Sequence, residues 1–175
     1  MDVTMEELLK EDKFSFISSR DKSFIQAFNT EMTLRGYTFG DRIGSGYCWG
    51  KYMLIYTKVG VKSKKVYARI YIQEDCIVLR LFLNDIDRHR NYIENTPAYI
   101  RQVFTGEHAR CQHCHNDKEG ICRFRKTYTL ENRMIEKCNG ITFEFHDPDL
   151  KKLPDYLSLF KEFYPLKKII NSLPV

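Results

Sequence analysis

The chain has 175 residues, of which 43% are hydrophobic and 14% aromatic, and this is enough to build one domain with its own core. Its 28 Lys and Arg residues exceed its 23 Asp and Glu residues and give a formal charge of +5, a mildly basic balance that falls short of a basic nucleic-acid footprint. The acidic start argues against a signal peptide, and no stretch approaches the roughly 18 apolar residues of a membrane span.

We therefore expect a soluble, cytoplasmic protein with no membrane partner. A single domain over 1–175 is predicted, with a core over about 20–105. A cysteine-rich segment, a strand and a helix are expected over about 107–175. The six cysteines of the chain then point to metal ligands or free thiols, because structural disulfides belong to oxidising compartments.

Two helices are the first elements predicted in chain order. Thr4 and Glu7 have the spacing of a capping box, which predicts a short helix. A longer helix is predicted over 21–35 and ends at Gly36, because its apolar residues recur at helical spacing. This apolar stripe is expected to pack on a sheet, and it consists of Phe24, Ile25, Phe28 and Met32.

Three antiparallel strands joined as a meander are predicted next, over 47–58, 65–73 and 76–83. Side chains alternate between the two faces of a strand, so residue parity sorts them into two sets. The set expected to form the core is aliphatic or small: Met53, Ile55, Val66, Ala68, Ile70, Ile72, Ile77, Leu79, Leu81 and Leu83. The other set is aromatic with two arginines: Tyr52, Tyr56, Tyr67, Arg69, Tyr71, Arg80 and Phe82.

The aromatic set has two interpretations. Tyrosines and arginines on one sheet face stack on planar ligands, and the guanidinium groups pair with phosphate or carboxylate groups. The candidate ligand-binding residues are Tyr52, Tyr56, Tyr67, Arg69, Tyr71 and Arg80. Alternatively, the face packs beneath a helix or the cysteine-rich segment, because tyrosine is common where its ring is covered and its hydroxyl reaches a partner.

The second half of the chain adds both helices and strands. A Thr96-Pro97 pair suits the cap and first turn of a helix. The predicted elements are helices over 85–95 and 96–106, a hairpin-like pair over 127–130 and 134–137, a strand over 141–145 and a helix from Pro154. The fold class is therefore α+β, with helices packed on one face of an antiparallel sheet. That sheet is expected to contain the three-strand meander plus two or three further strands, which come from the pair over 127–130 and 134–137 and the strand over 141–145.

Four cysteines have the spacing of a metal site. Cys111 and Cys114 place two thiolates on one tight loop, and Cys122 and Cys138 follow within the next 24 residues. These four are predicted to hold a structural zinc ion, because four protein ligands leave no open coordination position for catalysis. The alternatives are a disulfide or redox pair, inert thiols, or a site in which one histidine replaces a cysteine: His113 or His115.

Two further features carry weaker signals. Glu144 and His146 share a strand face and Asp147 follows them, but the chain is expected to leave the sheet there, which favours a structural role over acid–base chemistry. By residue parity, Trp49 belongs to the set expected to face the core. A bulge at Gly50 would instead place it on the opposite face of the strand.

The order of elements, with Trp49-Gly50-Lys51-Tyr52 and Tyr67-Ala-Arg-Ile-Tyr71, resembles small bacterial domains of unknown function, some of them similar to the YjbR-like α+β fold. The resemblance covers about residues 20–105. A recurring tail of uncharacterised bacterial proteins is similar to three later stretches: Cys111-Gln-His-Cys114, Cys122-Arg-Phe-Arg-Lys-Thr-Tyr128 and Lys137-Cys138-Asn-Gly140. The simplest members lack such cysteines, and the resemblance assigns no catalytic residue.

The functional hypothesis combines the aromatic set with the cysteines. The predicted function is a binding domain for a small planar or anionic ligand. The zinc ion is expected to hold the cysteine-rich segment against the sheet. An enzyme is the less favoured interpretation. The alternatives are nucleic-acid binding through the same sheet face and an enzyme with unrecognised acid–base groups. Strong salt dependence would separate nucleic acid from a small ligand, because neutralised phosphates release counterions.

Overall fold

The computed structural model describes residues 4–106, 125–138 and 140–166. In these ranges the α-helices are α1 (Met5–Leu8), α2 (Ser19–Leu34), α3 (Arg90–Glu94), α4 (Ala98–Thr105) and α5 (Leu153–Phe163). The strands are β1 (Tyr37–Thr38), β2 (Gly44–Ser45), β3 (Tyr52–Lys58), β4 (Val66–Ile72), β5 (Ile77–Phe82), β6 (Lys126–Leu130), β7 (Arg133–Lys137) and β8 (Thr142–His146). The predicted α+β fold class is confirmed.

Local sequence signals set the helix ends. The Thr4 side chain accepts a hydrogen bond from the Glu7 backbone while the Glu7 carboxylate accepts one from the Thr4 backbone, so the predicted capping box starts α1. Ser18 caps α2 by a single hydrogen bond, which its side chain accepts from the backbone N–H of Asp21. After α2, Gly36 adopts a φ of +79°, a left-handed conformation that ends helices and suits glycine.

The main sheet is antiparallel and has the strand order β1-β3-β4-β5-β8, with β2 also pairing with β3. Strands β3, β4 and β5 form the predicted meander. The further strands of this sheet are β1, β2 and β8, of which only β8 corresponds to a predicted strand. The expectation that the hairpin over 127–137 extends this sheet is wrong, because β6 and β7 pair only with each other among the described strands.

The core lies between one face of the main sheet and the described helices. Aromatic rings make many of its contacts: Phe28 of α2 meets Tyr56 of β3 edge-on at 5.3 Å between ring centroids. Phe104 of α4 lies 4.4 Å from Phe143 of β8. The opposite face forms a separate small apolar cluster around Tyr71. The predicted packing of helices on one face of the sheet is confirmed.

The pairing register corrects the face assignment of β3. Tyr52 pairs with Ile72 and Tyr56 pairs with Ala68, and directly paired residues share a face. Tyr52 and Tyr56 therefore face the core, whereas Met53 and Ile55 face the other way. Parity failed here because both sides of β3 are apolar or aromatic, so alternation did not distinguish them.

An irregularity in the same strand pair moves Tyr67 to the rim of the core. The register shifts between Tyr56 and Thr57, and Thr57 pairs with Val66, which leaves Tyr67 as the extra residue of a bulge. Its ring contacts those of Tyr37 and Tyr164, at centroid distances of 5.0 and 4.8 Å. Tyr67 is thus a packing residue at the edge of the helix-covered face.

The hairpin formed by β6 and β7 is anchored on the helices. The Tyr128 hydroxyl donates to the carbonyl of Phe104 at 2.6 Å. The backbone N–H of Thr129 donates to the Asp87 carboxylate at 2.8 Å. These contacts fix the start of the hairpin beside the end of α4. In the ranges described, no helix has the length and apolar character needed to cross a membrane.

Burial of Tyr56 predicts a large stability effect. Tyr56→Ala is expected to lower the free energy of unfolding by about 3–5 kcal/mol, because a large aromatic side chain is truncated in a packed core. Tyr47, which is 77% exposed, provides the control, and Tyr47→Ala is expected to change stability by only about 0.5 kcal/mol. Urea denaturation measures both, and equal midpoints for the two variants would contradict the burial of Tyr56.

Candidate functional site

A row of charged side chains crosses the sheet face that the described helices leave free. Arg69 on β4 pairs directly with Arg80 on β5, and Arg80 pairs directly with Glu144 on β8. Tyr71 lies on the same face of β4, two residues beyond Arg69, and Trp49 stacks on it. We call these five residues the arginine face.

Close backbone packing holds Trp49 over this face. Trp49 ends a 3-10 turn, Tyr47–Trp49, which is flanked by two glycines. A Cβ on Gly46 would lie 2.3 Å from the Gly50 carbonyl oxygen, and one on Gly50 would lie 2.7 Å from the Ile72 carbonyl oxygen. Only glycine fits at either position, so the turn is tightly defined.

The turn leaves the Trp49 indole partly exposed. The Trp49 ring lies 5.8 Å from the Tyr71 ring at an interplanar angle of 24°, which is a stacked arrangement. Tyr71 itself is buried, whereas Trp49 remains 39% exposed. The arginine face therefore presents an aromatic ring that is supported from below and accessible from outside.

Arg80 is the buried centre of the arginine face. It is 7% exposed, and its guanidinium carbon lies 4.9 Å from the Tyr71 centroid and 5.4 Å from the Trp49 centroid. Its Nε donates to Glu144 Oε1 at 2.7 Å, and its Nη2 donates to the same oxygen. The charge of Arg80 is thus matched by a carboxylate, as a buried charge requires.

Arg69 has no carboxylate partner of this kind among the described residues. Its Nη1 donates to the Tyr71 hydroxyl oxygen at 3.3 Å, and its guanidinium carbon lies 5.3 Å from the Phe82 ring centroid. Its Nε is buried without a hydrogen-bond partner. Within the described ranges it forms no ion pair, so the arginine face carries one guanidinium whose charge and donors are left for an anion.

The edge of the face brings further charged groups together. The second oxygen of Glu144 lies 3.5 Å from His146 Nε2, which confirms that these two residues share a strand face. Lys137 is buried, donates from Nζ to the Cys138 carbonyl at 3.1 Å and lies near Glu144. Burial lowers the pKa of Lys137 to about 8, and Glu144 opposes this effect while Arg80 adds to it.

Asp147 takes a different role from its two strand neighbours. It has a φ of +49°, and its carboxylate pairs with Arg20, which also contacts Asp21. The chain therefore turns away from the arginine face at this point, as expected.

The structure divides the predicted ligand-binding set. Arg69, Tyr71 and Arg80 lie together on the arginine face, whereas Tyr52, Tyr56 and Tyr67 lie on the helix-covered face or its rim. Sequence reasoning singled out Glu144 together with His146 but missed its pairing with Arg80, because the two residues are 64 positions apart in sequence. It also placed Trp49 within a strand, although the flanking Gly46 and Gly50 were a signal of a tight turn.

The predicted zinc site lies mostly outside the described residues. Cys111, Cys114 and Cys122 fall outside them, as do His113 and His115. Cys138 is described: it directly follows β7 as a half-buried free thiol. Among the described residues, no group of three or more Cys, His, Asp or Glu side chains converges as a metal site requires. The zinc ion remains a prediction.

A polar cleft of about 210 Å³ lies beside the start of α2, apart from the arginine face. It is lined by Asp21, Asp75 and Cys76, among others. Burial raises the pKa of the Cys76 thiol, and the neighbouring carboxylates Asp147, Asp21 and Asp75 raise it further. A raised pKa keeps the thiol protonated at neutral pH, so Cys76 is unsuited to act as a nucleophile.

Comparison of the chain with protein-family models, with curated proteins and with solved structures found no match. The functional interpretation therefore rests on the geometry. The arginine face combines a partly exposed aromatic ring, a buried ion pair and a guanidinium without an anionic partner among the described residues. Such a surface can bind a planar anion by stacking and charge.

Removal of the Glu144 charge is expected to destabilise the protein. Glu144→Gln would leave Arg80 buried beside a neutral amide, at a cost of about 3 kcal/mol. The double variant Arg80→Met/Glu144→Gln is expected to recover most of that loss, because no unmatched charge remains. Denaturant unfolding measures both variants.

The exposed pair of Glu6 and Lys10 serves as the control for this experiment. Glu6→Gln is expected to cost at most about 0.5 kcal/mol, since exposed ion pairs contribute little. Equal losses for Glu6→Gln and Glu144→Gln would contradict the importance of the buried pair.

Proposed function

We propose that the protein is a binding domain for a small, planar, anionic ligand that occupies the arginine face. The observation that carries this proposal is Arg69, a half-buried guanidinium without an ion-pair partner in the described structure. Guanidinium groups bind carboxylates and phosphates through paired hydrogen bonds. An anion beside Arg69 would offset the second positive charge of the row.

The aromatic part of the arginine face supports a planar ligand. Trp49 is stacked on Tyr71 below and partly exposed above, so a flat ring placed on the indole would bury apolar area without rearranging the site. The neighbouring guanidinium of Arg80 adds positive charge within 5.4 Å of both ring centroids. Preorganisation of this kind lowers the entropic cost of binding.

Binding without chemistry is the function that these groups favour. Glu144 is held in an ion pair with Arg80 and lies beside His146, so both oxygens of its carboxylate already have partners within the protein. The Cys76 thiol lies in the separate cleft and has a raised pKa. Neither group supports acid–base or nucleophilic catalysis at the arginine face.

The proposal includes a structural zinc ion held by Cys111, Cys114, Cys122 and Cys138. Its support is the spacing of the cysteines and the position of Cys138 immediately after Lys137, which lies near Glu144 and Arg80. A zinc ion bound there would tie the cysteine-rich segment beside the arginine face. Its role would be to order that segment, because four protein ligands close the coordination sphere.

Tryptophan fluorescence tests the ligand proposal directly, because Trp49 is the only tryptophan of the chain. Titration with 2-naphthoate, a planar carboxylate, is expected to change the fluorescence in a saturable manner. Arg69→Gln is expected to weaken binding about 10- to 100-fold, the equivalent of a hydrogen bond to a charged group. The control Arg88→Gln changes an exposed arginine beyond the face and is expected to bind as the unmodified protein does.

Three additional probes sharpen this experiment. Binding of uncharged 2-naphthol should be weaker than that of 2-naphthoate if Arg69 selects the anion, and inorganic phosphate alone should bind weakly without stacking. Equal affinity of the Arg69→Gln and Arg88→Gln variants for 2-naphthoate would contradict the proposal. Tight, steeply salt-dependent binding of a single-stranded oligonucleotide in place of 2-naphthoate would favour the nucleic-acid alternative.

Elemental analysis tests the zinc site. Protein purified without added metal is expected to contain about one zinc ion per chain. Cys138→Ser should lose the metal and lower the melting temperature, because zinc binding contributes to folding free energy. Cys48→Ser, which alters an exposed thiol, should retain both. A metal-free unmodified protein with an intact fold would contradict the site.

A further inference from the structure

The connection between β3 and β4 is strongly basic. Residues 58–65 are all exposed and include no acidic residue. Their lysines are Lys58, Lys62, Lys64 and Lys65. The same connection carries two exposed aliphatic residues, Val59 and Val61. We call residues 58–65 the basic tip.

Further exposed aliphatic side chains lie beside the basic tip. The Val59 backbone N–H donates to the Gly36 carbonyl at 2.9 Å, which brings the end of α2 and its Leu34 alongside. On another side, Lys65 Nζ lies 5.3 Å from the centroid of the Tyr164 ring, and Leu166 follows two residues later. Four leucine and valine side chains at this end of the protein are 48% to 73% exposed.

The lysines of the basic tip have no acidic partners among the described residues. Glu31 of α2 belongs to the same end of the molecule, but it is paired with Arg35 at 2.5 Å. Lys65 lies over the rings of Tyr67 and Tyr164. Lys58, Lys62 and Lys64 form no ion pair in the described ranges. The tip therefore combines uncompensated positive charge with exposed aliphatic surface.

We propose that the basic tip binds the surface of membranes that contain anionic lipids. Lysines attract anionic headgroups from water, while aliphatic side chains enter the boundary between headgroups and acyl chains. Nucleic acid fits less well, because the tip lacks the arginines that read bases and the exposed aromatic rings that stack on them. The proposed binding is peripheral and needs no membrane-spanning segment. It therefore differs from the expectation of no membrane partner, which was based on the lack of such a segment. This proposal is independent of the ligand proposed for the arginine face.

Co-sedimentation with lipid vesicles tests the proposal. The full chain is expected to bind vesicles of phosphatidylcholine mixed with phosphatidylglycerol and not vesicles of phosphatidylcholine alone. Lys62→Gln/Lys64→Gln is expected to weaken binding about 25-fold, at about fivefold per lysine near an anionic surface. A matched control, Lys126→Gln/Lys151→Gln, removes two exposed lysines outside the tip and should bind as the unmodified protein does.

A second variant separates insertion from charge alone. Val59→Ser/Val61→Ser keeps every lysine and should still weaken binding, because less apolar area enters the lipid. All of these positions are exposed, so circular dichroism should show folded variants. Equal vesicle binding by the tip variant and its control would overturn the proposal. The proposal would also be overturned if the protein did not bind anionic vesicles and instead bound duplex DNA through Lys62 and Lys64.

Discussion

The pairing register of β3 with β4 is the constraint on which the other features depend. Tyr56 lies opposite Ala68, and the small alanine leaves room for the tyrosine ring to meet Phe28 of α2 edge-on. A slip of one residue would exchange the two faces of β3 and expose this ring. The same register places Tyr71 and Arg69 on the opposite face. The packing of the core and the composition of the arginine face therefore both follow from the pairing of β3 with β4.

The row of Arg69, Arg80 and Glu144 shows how the protein tolerates two guanidinium groups on adjacent strands. Like charges directly opposite each other destabilise a sheet, and one carboxylate offsets one of the two. Glu144 is committed to Arg80, the more buried arginine, through two hydrogen bonds to one oxygen. The residual positive charge is therefore concentrated at Arg69, beside the Tyr71 and Trp49 rings, where an anion gains both electrostatic and stacking interactions.

Much of the fold was predictable from the sequence because its signals are local. The capping box at Thr4, the helical stripe around Phe28 and the three-strand meander all follow from spacing within one element. Strands β1 and β2 span two residues each, too few for a periodic pattern. Three of the five residues of the arginine face were predictable by parity, whereas Glu144 joins the face from a distant strand and Trp49 joins it from a turn. Neither position follows from alternation within a strand.

The hydrogen bond from Tyr128 to Phe104 also bears on the segment between them. It joins two points that are 24 residues apart in sequence, so the intervening chain begins and ends at nearly the same place. Closing a longer loop costs little more free energy, about 0.6 kcal/mol for each doubling of length. Changes in the length of this segment therefore add little to the cost of closing it, because its two anchors, Phe104 and Tyr128, lie on α4 and β6.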